Sequence, residues 1–319
     1  MLKVSQPSSS TEVLTAPEAA SESALATFPW AYETGSFDAL GHRFRIRTSN
    51  AAVGRHLEEL FSSFLAADGI DDAVTAYSLI DQAQAIRPYA LYADTERLTL
   101  ADRASWTLGC LVWHINQQVI HRHDGLVLVH AGAVALDGVG VLLPGGMEAG
   151  KTTLTAGLLQ AGCDYLTDEA AAIEPSTYRI VPYAKPLSVD AGSWDVLSDL
   201  RPPALDGELG IYHAQQWQVN AQSIRATAVS EPTQAKLIVS PRYVNGAATQ
   251  VEQITRAEML CHLVDTTFRF RTAGRFKFEV LGGLVARCSC YRLTVGELDK
   301  ACALVLQLVD DVNNAGSNR

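Results

Sequence analysis

The sequence contains no long apolar run and no excess of positive charge. No apolar stretch of the 319-residue chain reaches the roughly 18 residues that a membrane-spanning helix needs. Lysine and arginine total 25 against 35 aspartates and glutamates, a net charge of −10, which argues against nucleic acid as the main partner. The first residues also lack the basic and then apolar order of a secretory signal. These absences predict a cytoplasmic protein with no membrane and no nucleic-acid partner.

Cysteine is sparse, and its spacing does not match a metal site. Cys288 and Cys290 have no companion pair at the separation that zinc sites use. Most of the cysteines lie inside apolar stretches, which predicts reduced core residues rather than a redox or metal centre. The six are Cys110, Cys163, Cys261, Cys288, Cys290 and Cys302.

The composition and periodicity of the chain predict a tail and two folded parts. Residues 1–27 are rich in Ser, Ala, Thr and Glu without a sustained period, which predicts a disordered tail. Residues 28–102 predict a small α+β segment, with strands in "HRFRIRTS", "VTAYSLI" and "YALYAD". One helix there presents an apolar face of Val53, Leu57, Leu60, Phe61, Phe64 and Leu65.

The larger part, residues 103–315, begins with a predicted buried helix and continues as an α/β core. That helix directs inward Trp106, Leu108, Leu111, Val112, Ile115 and Val119. Two β runs joined by Asp137-Gly138 predict a hairpin. A helix over Lys151–Gln160 and one strand over 164–173 follow, which is the strand, loop, helix, strand order of a nucleotide-binding core.

The rest of the larger part is less uniform. Residues 192–233 are polar and aperiodic, which predicts a mobile loop over a site. The later pattern predicts strands over 235–241 and 290–295, and helices over 256–264, 276–288 and 297–312.

"LLPGGMEAGKTTL" fits the phosphate-loop pattern G-x-x-x-x-G-K-[ST] and lies between a predicted strand and a predicted helix. Glycine backbone approaches phosphate closely, and successive N–H groups at a helix start supply positive partial charge. Lys151 adds a full charge for the β and γ phosphates, and the Thr152 hydroxyl is a ligand for Mg²⁺. The predicted ATP-binding residues are Gly145, Gly146, Met147, Glu148, Ala149, Gly150, Lys151, Thr152 and Thr153.

Asp168 and Glu169 follow one helix downstream of Lys151, after the apolar "YL". A nucleotide-bound Mg²⁺ needs a carboxylate at a neighbouring strand end, and a second carboxylate is then free to act as a base. His130 lies in "LVLVHAGAV" on a strand expected beside the loop. It is either a third site residue or a hydrogen-bonded core histidine.

The spacing of His130, the loop and the acidic pair resembles that of the HPr kinase/phosphatase catalytic domain. The longer layout, with "LVHAGAVAL", "YLTDEAA" and "AKPLSV", looks still more like the HPr-kinase-related proteins near ribosomal-peptide gene clusters, which include lasso-peptide kinases. The resemblance implies an α/β P-loop kinase core, a mixed sheet flanked by helices. It also implies that Lys151 and the loop hold the triphosphate, that Thr152 and Glu169 serve the metal, that Asp168 is the base and that His130 lines the site.

This sequence departs from the family pattern at two places. The acidic pair is Asp-Glu rather than Asp-Asp, and only "GELGIY" (207–212) faintly echoes the second glycine-rich signature. The resemblance therefore does not extend to phosphatase activity or to HPr as the substrate.

The predicted activity is transfer of the γ-phosphoryl group of ATP to a Ser or Thr hydroxyl of a ribosomal precursor peptide or another protein. A kinase of a small-molecule hydroxyl is the first alternative, and an NTPase or nucleotide sensor is the second. No N-K-x-D or L-S-G-G-Q motif is present, which argues against a GTPase or a transporter ATPase. The sequence leaves homo-oligomer formation open.

Several basic residues outside the loop are weaker candidates. Arg269, Arg271, Arg275 and Lys277 form a local positive cluster, which is either an acidic-substrate site or a solvated face. Lys185 and Arg242 are weaker candidates still for charge stabilisation.

Overall fold

The computed structural model describes residues 21–66, 74–82, 86–122, 125–202 and 215–317. Predictions for most of the tail, for "GELGIY" and for the middle of the 192–233 loop lie outside these residues. No helix within the described ranges is long and apolar enough to span a membrane.

The N-terminal part is a six-stranded sheet with helices packed on it. The strand order is β1-β3-β4-β5-β6, and β2 pairs with β3. The strands are β1 (Tyr32–Glu33), β2 (Phe37–Ala39), β3 (His42–Thr48), β4 (Thr75–Asp81), β5 (Tyr89–Ala93) and β6 (Glu96–Ala101). Only β3 and β4 run parallel. The helices of this part are α1 (Glu22–Ala26), α2 (Ala51–Leu60) and α3 (Ala104–Arg122).

Helix α3 packs on the N-terminal sheet although the sequence assigns it to the larger part. Leu111 and Ile115 lie in one apolar cluster with Phe44 and Leu91 of that sheet, and the same cluster reaches Leu128 of the larger sheet. The helix therefore joins the two sheets, and the domain boundary at residue 103 stays a prediction.

The larger sheet has eight strands in the order β11-β10-β7-β8-β14-β16-β15, with β9 also paired to β7. Its strands are β7 (Val127–Leu136), β8 (Val139–Pro144), β9 (Asp164–Thr167), β10 (Ala170–Ile173), β11 (Arg179–Val181), β14 (Thr233–Tyr243), β15 (Gln250–Gln253) and β16 (Ser289–Val295). Strands β8, β14 and β16 are parallel neighbours. The hairpin predicted at Asp137-Gly138 is confirmed, and both of its residues have positive φ.

Helices cover both faces of this sheet, so the chain is a mixed α/β protein. On one face α4 (Lys151–Gln160) and α8 (Leu298–Ser317) pack over Leu237 and Val239. On the other face α6 (Arg256–Thr266) and α7 (Gly274–Arg287) pack over Ile238. The alternation along β14 follows from the two-residue period of a strand.

The segment predicted as a loop over 192–233 carries structure in its described parts. A small sheet pairs β12 (Leu187–Asp190) with β13 (Gln216–Val219), followed by α5 (Ala221–Ile224). Short 3₁₀ turns cover Ala191–Ser193 and Ser198–Leu200. These elements bury Leu197, Trp217 and Val219 in one cluster with Leu159 of α4. The polar composition of the segment gave no indication of this apolar packing.

Three further expectations are wrong in detail, and strand β6 is present although it is not among the predicted strands. The strand predicted over 164–173 breaks at Asp168-Glu169 into β9 and β10. Trp106 is 47% exposed rather than inward, because the apolar face of α3 passes through Leu108 and Leu111 instead. Helix α2 ends at Leu60, and Leu65, beyond a 3₁₀ turn over Ser62–Phe64, is 54% exposed.

The contact between β7 and α4 leaves no room for a side chain at Gly132. A Cβ there would lie 2.3 Å from Thr155 Oγ1, and this hydroxyl is buried with no hydrogen-bond partner among the described residues. We expect Gly132→Ala to lower the free energy of unfolding by about 1–3 kcal/mol through overpacking. Chemical denaturation measures this.

The matched control adds Thr155→Ala, which removes the atom that clashes. The double variant should be nearly as stable as Thr155→Ala alone, since the extra methyl group then fits. If Gly132→Ala lowers the free energy of unfolding equally in the wild type and in Thr155→Ala, the Thr155 side chain is not what excludes a side chain at residue 132.

Candidate functional site

The glycine-rich loop, residues 145–150, connects the end of β8 to the first residue of α4. The Gly145 N–H donates to the His130 carbonyl at 3.4 Å, and a Cβ at Gly145 would lie 2.9 Å from Ala149 Cβ. Gly150 has φ of 84° and Glu148 has φ of 60°, both in the left-handed region that favours glycine. The loop is thus a tight turn, and it forms only because the residues at its two ends, Gly145 and Gly150, are small.

The loop and the start of α4 present a row of free backbone N–H groups. In the described part of the chain, the amides from Gly146 to Thr153 donate to no protein acceptor. The first amides of a helix have no partner within that helix, so such a row is suited to an anion. Lys151 is buried, and its ammonium donates to the Gly146 carbonyl at 2.8 Å.

The Lys151 ammonium thus lies inside the curve of the loop. Burial lowers the pKa of Lys151, while the nearby carboxylates of Glu169 and Asp168 act in the opposite direction. The side chains of two other loop-region residues point elsewhere. Met147 is 88% exposed, and the hydroxyls of Thr153 and Ser193 form a hydrogen bond of 2.6 Å.

Asp168 is fully buried, and both of its oxygens are occupied by protein groups. Oδ1 lies 2.7 Å from the Lys185 ammonium and accepts from the Tyr165 hydroxyl at 2.9 Å. Oδ2 accepts from the Thr152 hydroxyl at 3.3 Å and from the Ser188 N–H at 3.1 Å. A buried carboxylate with an ion-pair partner and three hydrogen bonds is held in one orientation.

Glu169 faces a different environment from Asp168. Its Oε1 lies 3.7 Å from His130 Nε2, and its side chain keeps about a third of its surface exposed, at 32%. Burial raises the pKa of Glu169, which the positive charges of Lys185 and Lys151 oppose. A carboxyl group with a raised pKa and access to solvent can take up a proton near neutral pH more readily than an ordinary one.

His130 lies beside Glu169 and is neutral at pH 7. Burial lowers its pKa to about 4, and Lys151 contributes in the same direction while Asp168 opposes it. The ring of Phe268 lies 5.5 Å from the imidazole, centroid to centroid. The contact between His130 and Glu169 is therefore a polar contact of a neutral imidazole at pH 7 rather than an ion pair.

The structure brings together His130, Lys151, Thr152, Asp168 and Glu169, but the partners of Asp168 were missed. Lys185 was a weak candidate for charge stabilisation, whereas in the structure it neutralises Asp168. Tyr165 and the Ser188 amide had no place in the predicted site. The sequence held one signal for this ion pair, a lysine between apolar residues in "YAKPLSV". A lysine that is buried in this way requires an ion-pair partner.

Within the described ranges, no group of three or more His, Cys, Asp or Glu side chains is placed to hold a metal ion. A nucleotide-bound Mg²⁺ needs only one or two protein ligands, since phosphates and water supply the rest. The adjacent Thr152 hydroxyl and Asp168 carboxylate are oxygen groups of the kind this ion prefers. The Thr152 hydroxyl therefore fits such an ion, and Asp168 would bind it in exchange for the hydrogen bond that it accepts from Thr152.

No protein-family model matches the chain, and no curated protein is significantly similar to it. Among solved structures, the chain is similar to the HPr(Ser) kinase/phosphatase from Coxiella burnetii. The two are 13% identical, and the match covers 60% of this chain and 98% of the other, with a TM-score of 0.28. A match this weak carries no argument about activity.

Most of the predicted basic cluster over 269–277 serves local structure. Arg269 donates to the His121 carbonyl near the end of α3, and Lys277 donates to the carbonyls of Phe268 and Arg269. Arg275 pairs with Glu279 on an exposed face of α7. Cations that bind carbonyls and a neighbouring carboxylate stabilise the turn before α7, which favours the structural interpretation of this cluster.

The low pKa of His130 makes the free energy of unfolding depend on pH. The unfolded chain takes up a proton near the ordinary pKa of 6.5, whereas folded His130 does so only near pH 4. Between these values the unfolded state binds more protons, so the contribution of His130 to stability falls as the pH falls. We expect the imidazole resonance missing from the His130→Gln spectrum to titrate with a midpoint near 4.

The control for this titration is His42→Gln, a substitution in the N-terminal sheet. It should leave the midpoint of the His130 resonance unchanged. A midpoint between 6 and 7 for His130, close to the ordinary value of 6.5, would mean that the imidazole is solvated rather than buried beside Lys151.

Proposed function

We propose that the protein is an ATP-dependent kinase that transfers the γ-phosphoryl group to an alcohol acceptor. The observation that carries this proposal is the row of free amides from Gly146 to Thr153, with a buried lysine at its centre and a carboxylate against Thr152. A plain turn between a strand and a helix has no need for this combination. Phosphoryl transfer depends mainly on such positioning and charge neutralisation.

In this proposal the loop amides and the Lys151 ammonium bind the triphosphate. Lys151 would exchange the Gly146 carbonyl for a phosphate oxygen, so its charge is held ready without reorganisation of the loop. Thr152 and Asp168 would hold Mg²⁺, which supplies charge neutralisation between phosphate oxygens when bound. Lys185 fixes Asp168 in position from the opposite side.

The geometry favours Glu169 as the base and Asp168 as the metal-side carboxylate, the reverse of the division that the resemblance implies. Asp168 is buried, ion-paired and in contact with Thr152. Glu169 is partly exposed and has a raised pKa. A base must reach the acceptor hydroxyl and accept its proton. Of the two carboxylates, only Glu169 has both solvent access and an oxygen with no hydrogen-bond partner among the described residues.

The acceptor is proposed as a Ser or Thr hydroxyl of a precursor peptide or another protein, on the sequence resemblance alone. Intact-mass measurement of candidate acceptors incubated with the protein and ATP tests this proposal. A mass increase of one phosphoryl group on a peptide supports it. Phosphorylation restricted to a small molecule, or release of phosphate without any acceptor, would replace it with one of the two alternatives.

We expect Lys151→Ala to weaken ATP binding by about 1.5–3 kcal/mol, or roughly 10- to 150-fold, because a charged hydrogen-bonding partner of the phosphates is lost. Isothermal titration calorimetry measures this. The matched control is Lys300→Ala, which removes an exposed lysine paired with Glu297 and should leave ATP binding unchanged. Equal affinities for Lys151→Ala and wild type would refute the role of the loop.

The division of roles between the two carboxylates predicts different kinetic effects. Glu169→Gln should lower kcat by about 10²- to 10⁴-fold, the typical effect of a lost general base, with little change in KM for ATP. Asp168→Asn should instead raise KM for ATP and lower the free energy of unfolding by about 3–5 kcal/mol, since Lys185 loses its buried counter-charge. Steady-state kinetics and denaturation of both variants decide between the assignments.

If Asp168→Asn folds with wild-type stability and loses only kcat, Asp168 is the base after all. The variant Lys185→Met tests the same ion pair by removing the other charge. It should resemble Asp168→Asn in stability, because either substitution leaves one charge buried alone.

A further inference from the structure

Tyr243, the last residue of β14, lies against the glycine-rich loop. Its N–H donates to the Ala149 carbonyl at 3.2 Å. Its Cβ lies 3.4 Å from the position that a Cβ at Gly150 would take. Tyr243 is nevertheless 53% exposed, so its backbone is fixed to the loop while its ring remains available.

The position of Tyr243 follows from the topology of the sheet. Strands β8 and β14 are parallel neighbours, with Leu142 beside Ile238, so their carboxyl ends lie at the same edge. One end continues into the loop at Gly145, and the other ends at Tyr243. Ligands of α/β sheets bind in the crevice outside the carboxyl ends of parallel strands.

The ring lies on the same face of the sheet as α4. Leu237 and Val239 pack in the apolar cluster under α4 and α8, and residue 243 shares their side of the strand by the two-residue period. The contact with Gly150, the residue before α4, agrees with that placement. Tyr243 thus continues this apolar face of the sheet as far as the start of α4, where the helices no longer cover the sheet.

The backbone around Tyr243 is held on both sides. The next amide, of Val244, donates to the Val295 carbonyl at 2.9 Å, and the Ala247 amide closes the following turn on Val244 at 3.1 Å. Gly246 has φ of 72° in this turn. A tyrosine on a fixed backbone loses little conformational entropy on binding, because only two side-chain torsions remain.

We propose that the Tyr243 ring is a stacking platform for the base of the nucleoside triphosphate whose phosphates the loop binds. This inference rests on the proposed function and identifies a contact for the part of the nucleotide that the loop does not hold. The Tyr243 hydroxyl has no hydrogen-bond partner in the described part of the chain, so no polar contact holds the ring away from a ligand. The π-face of tyrosine suits any purine.

Calorimetric titration of the full chain with two ligands, ATP and inorganic tripolyphosphate, each with Mg²⁺, tests the proposal. Base stacking of this kind changes affinity by about 5- to 150-fold. We expect Tyr243→Ala to weaken ATP binding by that factor and to leave tripolyphosphate binding unchanged, since tripolyphosphate has no base. Tyr243→Phe keeps the ring and should bind ATP as the wild type does.

Trp113→Ala is the control for loss of an exposed aromatic ring elsewhere, because Trp113 lies on α3 and is 62% exposed. It should change neither affinity. Unchanged ATP binding in Tyr243→Ala would overturn the inference and leave the proposed function intact. Equal weakening of ATP and tripolyphosphate would also overturn it, because Tyr243 would then only support the loop. Absence of binding of both ligands to the wild type would overturn the proposed function and this inference together.

Discussion

The ion pair between Asp168 and Lys185 is the contact on which the site depends. The two charged groups are 2.7 Å apart and almost completely buried. Through its other contacts the carboxylate joins the start of α4 at Thr152, strand β9 at Tyr165 and the small β12–β13 sheet at Ser188. Removing either charge would leave the other buried alone, which proteins tolerate poorly. These elements therefore keep fixed positions relative to one another.

The loop between β8 and α4 departs from the usual rules of local structure. Glu148 has positive φ although it is not glycine, and consecutive amides have no protein acceptor within the described residues. Such features cost stability and persist where the surroundings hold them. Here the surroundings are the His130 carbonyl, which receives the Gly145 amide, and Tyr243, which donates to Ala149. The strained loop thus has support from both neighbouring strands, β7 and β14.

Two adjacent carboxylates have different properties because the chain places them in different environments. Asp168 is enclosed by donors and a cation, whereas Glu169 lies near a neutral His130 and keeps contact with solvent. Burial raises the pKa of Glu169 and lowers that of His130. Environments that differ in this way separate a structural or metal-side carboxylate from one that exchanges protons.

The sequence by itself determined the local features of this protein. The bounds of α4, the hairpin at Asp137-Gly138 and the loop between β8 and α4 all match the structure, because each depends on residues that are near in sequence: glycines where φ is positive, and alternating apolar residues in strands. The proximity of His130 and the acidic pair to the loop was expected from their spacing as well.

Only the tertiary structure decided which groups meet across the chain. The partner of Asp168, the attachment of α3 to the N-terminal sheet and the place of Tyr243 beside Gly150 depend on strand order and register. The pattern of a strand shows which residues share a face, but it does not show which strand lies next to it. The roles proposed for Asp168 and Glu169 differ from those that the resemblance implies for the same reason, since burial and charge around a side chain come from segments distant in sequence.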